Sequence, residues 1–231
     1  MTGLLAAAGT ASSSVSVNLG GQLSKPSESI VIIIALTLLG VAPALLIMLT
    51  SFTRIAVVLG LTRNALGLQG IPPNQVIAGL ALFLSLFIMA PTISKVNNDA
   101  VQPYLHGKIN ATQAYREAEV PIRDWMLKQT RTQELAVFVN ISKQHPPKPQ
   151  DVTMAALVPA FILSELKTAF IIGFVVFIPF LIIDLVVGST LMSMGMMMLP
   201  PTLVSLPFKL LLFVLVDGWT LIAHSLVTSF R

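Results

Sequence analysis

Residues 152–187 read VTMAALVPAFILSELKTAFIIGFVVFIPFLIIDLVV, an apolar run interrupted only by Glu165, Lys167 and Asp184 among ionisable residues. As one helix this run would extend about 54 Å at 1.5 Å per residue, against a hydrocarbon layer of about 30 Å. It is therefore too long for a single simple span, and Pro159, Gly173 and Pro179 are places where it can break or bend. The composition of the whole chain agrees with a membrane reading. Of 231 residues 55% are hydrophobic and 10% charged, where a soluble domain carries about 25% charged. Mean hydropathy is +0.84. A soluble fold of this size could not hide so much apolar surface, so the fold class is an all-α membrane protein.

Next along the chain comes Gly188 to Pro201, GSTLMSMGMMMLPP, the second hallmark of the sequence. Met192, Met194, Met196, Met197 and Met198 are half of the ten methionines in the chain. Methionine is unbranched and polarisable, so a cluster of it makes an apolar surface that re-packs around different shapes. Four of the five recur at every second position, with Gly195 among them and two prolines closing the run, which is not a helical pattern. The stretch reads as a flexible loop between two membrane-embedded helices. The plainer alternative is an ordinary inter-helix turn whose methionines fill gaps.

Beyond it, the fourth apolar region runs from about Leu206 to Phe230. At about 100° per residue, Lys209, Asp217, Thr220, His224 and Arg231 fall within an arc of roughly 80°, so one side of this helix faces something polar. Lys209 and Asp217 are too far apart to pair within one helix, and their partners are expected on other helices. A proton or ion relay would use Glu165, Asp184 and Asp217. Structural pairing between packed helices or subunits is the preferred reading, because a relay places carboxylates on facing helices and only Asp184 and Glu165 are available for that.

Towards the N-terminus, Gln75 to Ile93 holds no charge and is a second secure span, opened by Pro72-Pro73 at its first helical position. Before it lies a linker with Arg54 and Arg63, and before that a span from about Ile30 to Thr50 with Pro43 as a kink. Residues 1–29 are small and Ser-rich. A secretory leader has a basic start, whereas the first cation here is Lys25, so this segment is read as an atypical leader or a disordered stretch. The organisation is then 1–29, a first helical hairpin 30–96, an insert 97–151 and a second hairpin 152–231 carrying the Met-rich loop 188–201.

The insert differs in character. Lys95 to Asp151 holds eight of the fourteen Lys and Arg and six of the ten acids. Asn110 with Gln113 has the capping-box pattern, Pro121 is placed to open a helix carrying Ile122, Trp125 and Met126, and Leu135, Phe138 and Val139 repeat the pattern in a following helix. Gln144 to Pro149 breaks it. This is a small helical, water-exposed segment. Counting Lys and Arg would place it in the cytoplasm, but that rule weakens for loops approaching about 60 residues, and orientation stays open on charge alone.

Several chemistries find no support. The chain has no cysteine, a net charge of +4 too scattered for nucleic acid, and three isolated histidines, His106, His145 and His224, without metal-ligand spacing. Nucleophile elbows, Walker loops and dinucleotide glycine patterns are missing. No cofactor and no enzymatic activity are expected; the chain reads as a scaffold or conduit.

Three stretches resemble the FliP family of flagellar export-gate proteins, whose relatives serve in virulence-type type III secretion. They are Met48 to Arg54 (MLTSFTR) with Pro72 to Leu80 (PPNQVIAGL), Val158 to Gly173 (VPAFILSELKTAFIIG), and Ile178 to Asp184 (IPFLIID) running through the methionine stretch to Leu215 to Trp219 (LVDGW). The likeness covers roughly residues 30 to 231. It departs from the family at the N-terminus, where many members begin with a recognisable signal peptide. The resemblance implies bent helical hairpins and a homo-pentameric ring in the bacterial inner membrane, at the export apparatus of the flagellar basal body. It further implies FliQ and FliR joined to that ring, FlhB and FlhA on the cytoplasmic side, and unfolded flagellar export substrates passing through. It places the insert on the non-cytoplasmic side. It also implies that Met192, Met194, Met196, Met197 and Met198 form a gasket that closes the pore, with Arg54, Glu165, Lys167, Asp184, Lys209, Asp217 and His224 making polar contacts between helices or subunits.

Overall fold

A computed structural model describes residues 32–33, 36–37, 39–41, 47–68, 70–143, 146–196 and 198–230. The chain divides into two compact units, Met1–Val41 and Ala42–Arg231. In the first, the described residues are helical and Thr37 donates its hydroxyl to the Ile33 carbonyl at 2.8 Å. Residues 1–29, Pro43, His145, Met197 and Arg231 lie outside the described residues, as does about half of the expected first span.

The second unit is helical, with no strand among the described residues. Helix α1 spans Phe52–Ala65 and α2 spans Asn74–Val96, followed without interruption by a π-helical turn, Asn97–Val101, and a last α-helical turn, Gln102–Leu105. Helices α3, Ala111–Gln129, and α4, Thr132–Ile141, make up the polar segment. Helix α5 runs Met154–Ser193, α6 Pro201–Leu215 and α7 Gly218–Thr228. By length and composition Asn74–Leu105 and Met154–Ser193 can each cross a membrane, and α6 with α7 can do so as a pair bent by 61°.

Several expectations are corrected. The segment with Arg54 and Arg63 is not a linker: it forms α1, whose Ile55, Val58, Leu59, Ala65 and Leu66 next to its end are buried in the main core against α2, α5, α6 and α7. Two cations hid its apolar stripe. Pro73 is the residue before α2 and not its first residue. Pro121 opens nothing; it sits inside α3, which begins at the Asn110–Gln113 capping box, where each side chain accepts from the other's backbone N–H (2.9 and 3.1 Å). The expected break in 152–187 does not occur, because α5 passes through Pro159, Gly173 and Pro179. Each proline removes a single backbone donor, a local loss that the remaining hydrogen bonds of the helix and its packing outweigh.

Small residues mark the packing. Ala156, Ala160 and Ser164 are buried on one side of the first half of α5, and Ala169 and Gly173 are buried on another side further along. Small side chains let helix backbones approach closely where lipid offers no hydrophobic drive between helices. At Gly173 a Cβ would lie 2.3 Å from Leu61 Cδ1 and 3.1 Å from Leu61 Cβ, so α1 and α5 approach closely here and Leu61 would have to shift for any larger residue. A second core, Met126, Val152, Ala156, Leu157 and Phe161, joins α3 and the first half of α5, with Leu135 and Phe138 of α4 packed against it. The outer side of α5, including Phe170, Phe174, Val175, Leu181, Ile182, Leu185 and Val186, stays exposed. An apolar surface of that extent is solvated by lipid or by other chains.

Candidate functional site

The methionine stretch is shorter as a loop than the sequence suggests. Helix α5 continues through Met192 to Ser193, and only then does the chain leave it. Gly195, at φ +72, ends the helix: its N–H reaches the Met192 carbonyl (3.0 Å) and the Met196 N–H reaches Leu191 (3.0 Å). That pair of bonds is a Schellman motif, and its left-handed position favours glycine. The period-two methionines reflect this turn, not a strand. The side chains at Met192, Met194, Met196 and Met198 are 70%, 67%, 41% and 98% exposed. Four thioethers thus project from one helix end into space that this chain leaves empty, which gap-filling methionines would not do.

Below the loop, α5 and α6 are fastened by Asp184. Lys209 Nζ lies 2.6 Å from Asp184 Oδ2, and the Ser205 hydroxyl donates to Asp184 Oδ1 at 2.5 Å. Lys209 also donates to the carbonyl of Ala65 (3.3 Å), the last residue of α1, where the helix end carries partial negative charge. One buried ammonium therefore joins three helices. At the other end, Arg54 and Glu165 form a bidentate pair, with Arg54 Nε 2.8 Å from Oε2 and Nη2 on Oε1. Arg54 Nη1 reaches the Ser229 carbonyl (3.0 Å) and hydroxyl (3.1 Å), Nη2 reaches Gln129 Oε1 (3.3 Å), and the guanidinium lies 3.8 Å from the centre of the Phe230 ring. Both partners are buried, Glu165 completely.

The chain matches the model of the FliP family over residues 35–226. It belongs to the FliP family. Among similar proteins are three named flagellar biosynthetic protein FliP. That of Bacillus subtilis (strain 168) is 56% identical over 205 residues, 88% of this chain and 93% of the relative. That of Caulobacter vibrioides is 48% identical over 229 residues, 99% and 86%. That of Aquifex aeolicus is 50% identical over 207 residues, 88% and 87%.

In this FliP-family chain the remaining singled-out residues lie apart from both clusters. Lys167 Nζ, on α5, is 2.8 Å from Glu134 Oε1 of α4. The shared polar arc on the last helix dissolves, because the helix bends between α6 and α7: Lys209 turns inward while Asp217 and His224 are exposed. Asp217 adopts a left-handed conformation (φ +49) before the first residue of α7. No cluster of three His, Cys, Asp or Glu capable of holding a metal occurs among the described residues. Sequence reading missed Ser205, Gln129, Ser229 and Glu134 as partners. Ser205 could have been found, since it lies one helical turn before Lys209 on α6. Gln129 and Ser229 carry no such signal, because their partner Arg54 is remote in sequence.

Proposed function

We propose that this chain is a structural, non-enzymatic subunit of the flagellar type III protein export apparatus in the bacterial inner membrane. In that reading several copies surround a central passage for unfolded export substrates. The single observation that carries it is the outward projection of Met192, Met194, Met196 and Met198 from a glycine-capped helix end. Repeated about a symmetry axis, one such loop becomes a ring of thioethers. A ring of that kind excludes water and blocks ions as hydrophobic constrictions do. It also yields around a polypeptide of arbitrary sequence, because methionine has many low-energy shapes. The proposed collar also counts Met197, which lies outside the described residues. Family kinship supports FliQ, FliR, FlhB and FlhA as neighbours. A proton-coupled transporter is the less favoured reading, since Glu165 takes two bonds from Arg54 and Asp184 is held by Lys209 and the Ser205 hydroxyl, with Asp217 exposed elsewhere. The test is conductance. With Met196, Met197 and Met198 replaced by alanine, the assembled and empty complex in a lipid bilayer should pass small ions that the unaltered complex holds back. Equal conductance in the two would overturn the collar.

A further inference from the structure

The chain holds ten methionines and no cysteine, so all of its sulfur is thioether. These sulfurs differ sharply in access. Met126 is fully buried in the second core and Met89 of α2 is 4% exposed, whereas Met192, Met194, Met196 and Met198 stand open at the end of α5. Oxidation of a thioether follows its exposure. The oxidisable sulfur is thus concentrated on one turn, with Met48 as the other exposed methionine among the described residues.

The turn itself does not depend on those side chains. It is closed by main-chain bonds, from the Met194 N–H to the Thr190 carbonyl (3.1 Å), from Gly195 to Met192 and from Met196 to Leu191 (3.0 Å each). The neighbouring hydroxyls are turned back onto α5. Ser189 donates to the Leu185 carbonyl (2.8 Å), Thr190 to Val186 (2.8 Å) and Ser193 to Ser189 (2.9 Å). A new acceptor on a methionine side chain here draws its donors from water. Its arrival changes the surface of the loop and leaves the backbone in place.

Building on the collar reading, we infer that Met192, Met194, Met196 and Met198 are a modification site for hydrogen peroxide, and that their sulfoxides unseal the passage. In each event the sulfur lone pair attacks one peroxide oxygen. The S–O bond forms as the O–O bond breaks. The thioether is oxidised by two electrons, and the peroxide is reduced, its second oxygen leaving as water with both protons. The product is polar and chiral, and methionine sulfoxide reductases return it to the thioether. Repeated in every copy, it places strong hydrogen-bond acceptors where a hydrophobic constriction must stay dry. Water enters and ions follow.

The experiment treats the full-length chain with hydrogen peroxide, both alone in detergent and in its native assembly in a lipid bilayer. Mass spectrometry of its peptides reads one added oxygen per oxidised methionine. Sulfoxide should form at Met192, Met194, Met196 and Met198 roughly tenfold faster than at Met89 and Met126. Conductance of the treated, empty assembly should rise, then return to its starting value after methionine sulfoxide reductases for both epimers are added. That reversal decides the matter without any variant. Met48→Leu should leave the peroxide-induced rise unchanged. Leucine at Met192, Met194, Met196, Met197 and Met198 together should abolish the rise, whatever the resting conductance of that variant. The oxidised chain alone should melt at the temperature of the untreated one, which separates unsealing from unfolding. Equal oxidation of loop and buried methionines, a loop that resists peroxide in the assembly, or a lowered melting temperature overturns the inference. So does a rise that the reductases do not reverse, that depends on Met48, or that persists in the leucine variant. An oxidised assembly that stays sealed while the alanine variant of the collar leaks overturns it too, and leaves the collar standing. If neither conducts, the collar falls and this inference with it.

Discussion

Arg54 touches more distant parts of the chain than any other side chain described above. Its guanidinium binds Glu165 of α5, Gln129 at the end of α3 and Ser229 near the C-terminus, and it covers the ring of Phe230. Phe230 stacks in turn on Trp125, with centroids 5.8 Å apart. A buried charge pair of this kind contributes little relative to a well-packed apolar substitute, but removing one partner leaves the other charged and desolvated. Glu165→Gln should therefore cost roughly 3–5 kcal/mol. The joint replacement Arg54→Met with Glu165→Met should recover most of that loss. Thermal unfolding of the detergent-extracted chain measures both, and a double variant no better than Glu165→Gln would show that the hydrogen bonds to Ser229 and Gln129 dominate.

The long helix α5 carries small buried residues along its length, which let neighbouring helices approach it closely. Gly173 is the tightest point of that approach, within 2.3 Å of Leu61 Cδ1 for an added Cβ and 3.1 Å of Leu61 Cβ. Gly173→Ala should destabilise by about 1–3 kcal/mol through overpacking, despite the better intrinsic helix propensity of alanine. Trimming the opposing side chain removes the clash, so Leu61→Ala combined with Gly173→Ala should cost less than the sum of the two single changes. Strict additivity would mean that the strain is relieved elsewhere and that the α1–α5 contact is not set at this glycine. The far end of the same helix is governed differently, by the left-handed Gly195 and the two bonds that close the Schellman turn.

Across the molecule as a whole, the polar helices α3 and α4 are tied to the apolar α5 by a few polar contacts as well as by the second core. Arg131 donates its backbone N–H to the Ser164 hydroxyl (3.0 Å) and its guanidinium to the Thr168 hydroxyl (3.1 Å). Lys167 reaches Glu134 at 2.8 Å. The hydrogen bond from Lys167 holds the Glu134 carboxyl below its ordinary value, with the charges of Lys167 and Arg131 adding to it and partial burial opposing. A carboxyl depressed in the folded state contributes stability that is present above its unfolded pKa and is lost as the pH falls through the folded one. At neutral pH, Lys167→Met should thus lower the hydrogen-exchange protection of α4. The gap between variant and unaltered chain, compared at equal pH, should close on acidification below about pH 4. A gap that is constant with pH would assign the tie to the methylene stem of Lys167 and not to its charge.

Composition, the charge-free run of α2, the capping box at Asn110 and the family-specific strings determined by themselves that this is an α-helical membrane protein of the FliP family. These are local or additive properties, readable one segment at a time. Tertiary structure alone decided that Arg54 and Arg63 stand on a core helix, that α5 is unbroken at three apparent breakers, and that α6 and α7 bend apart at Asp217. The reason is the same in each case. A proline, a glycine or a charge states only what its own turn would prefer, whereas the outcome depends on what packs against it: Glu165 beside Arg54, Leu61 over Gly173, the Phe213 ring against Gly218. Those partners lie on other helices, and no spacing along a single strand of sequence encodes them.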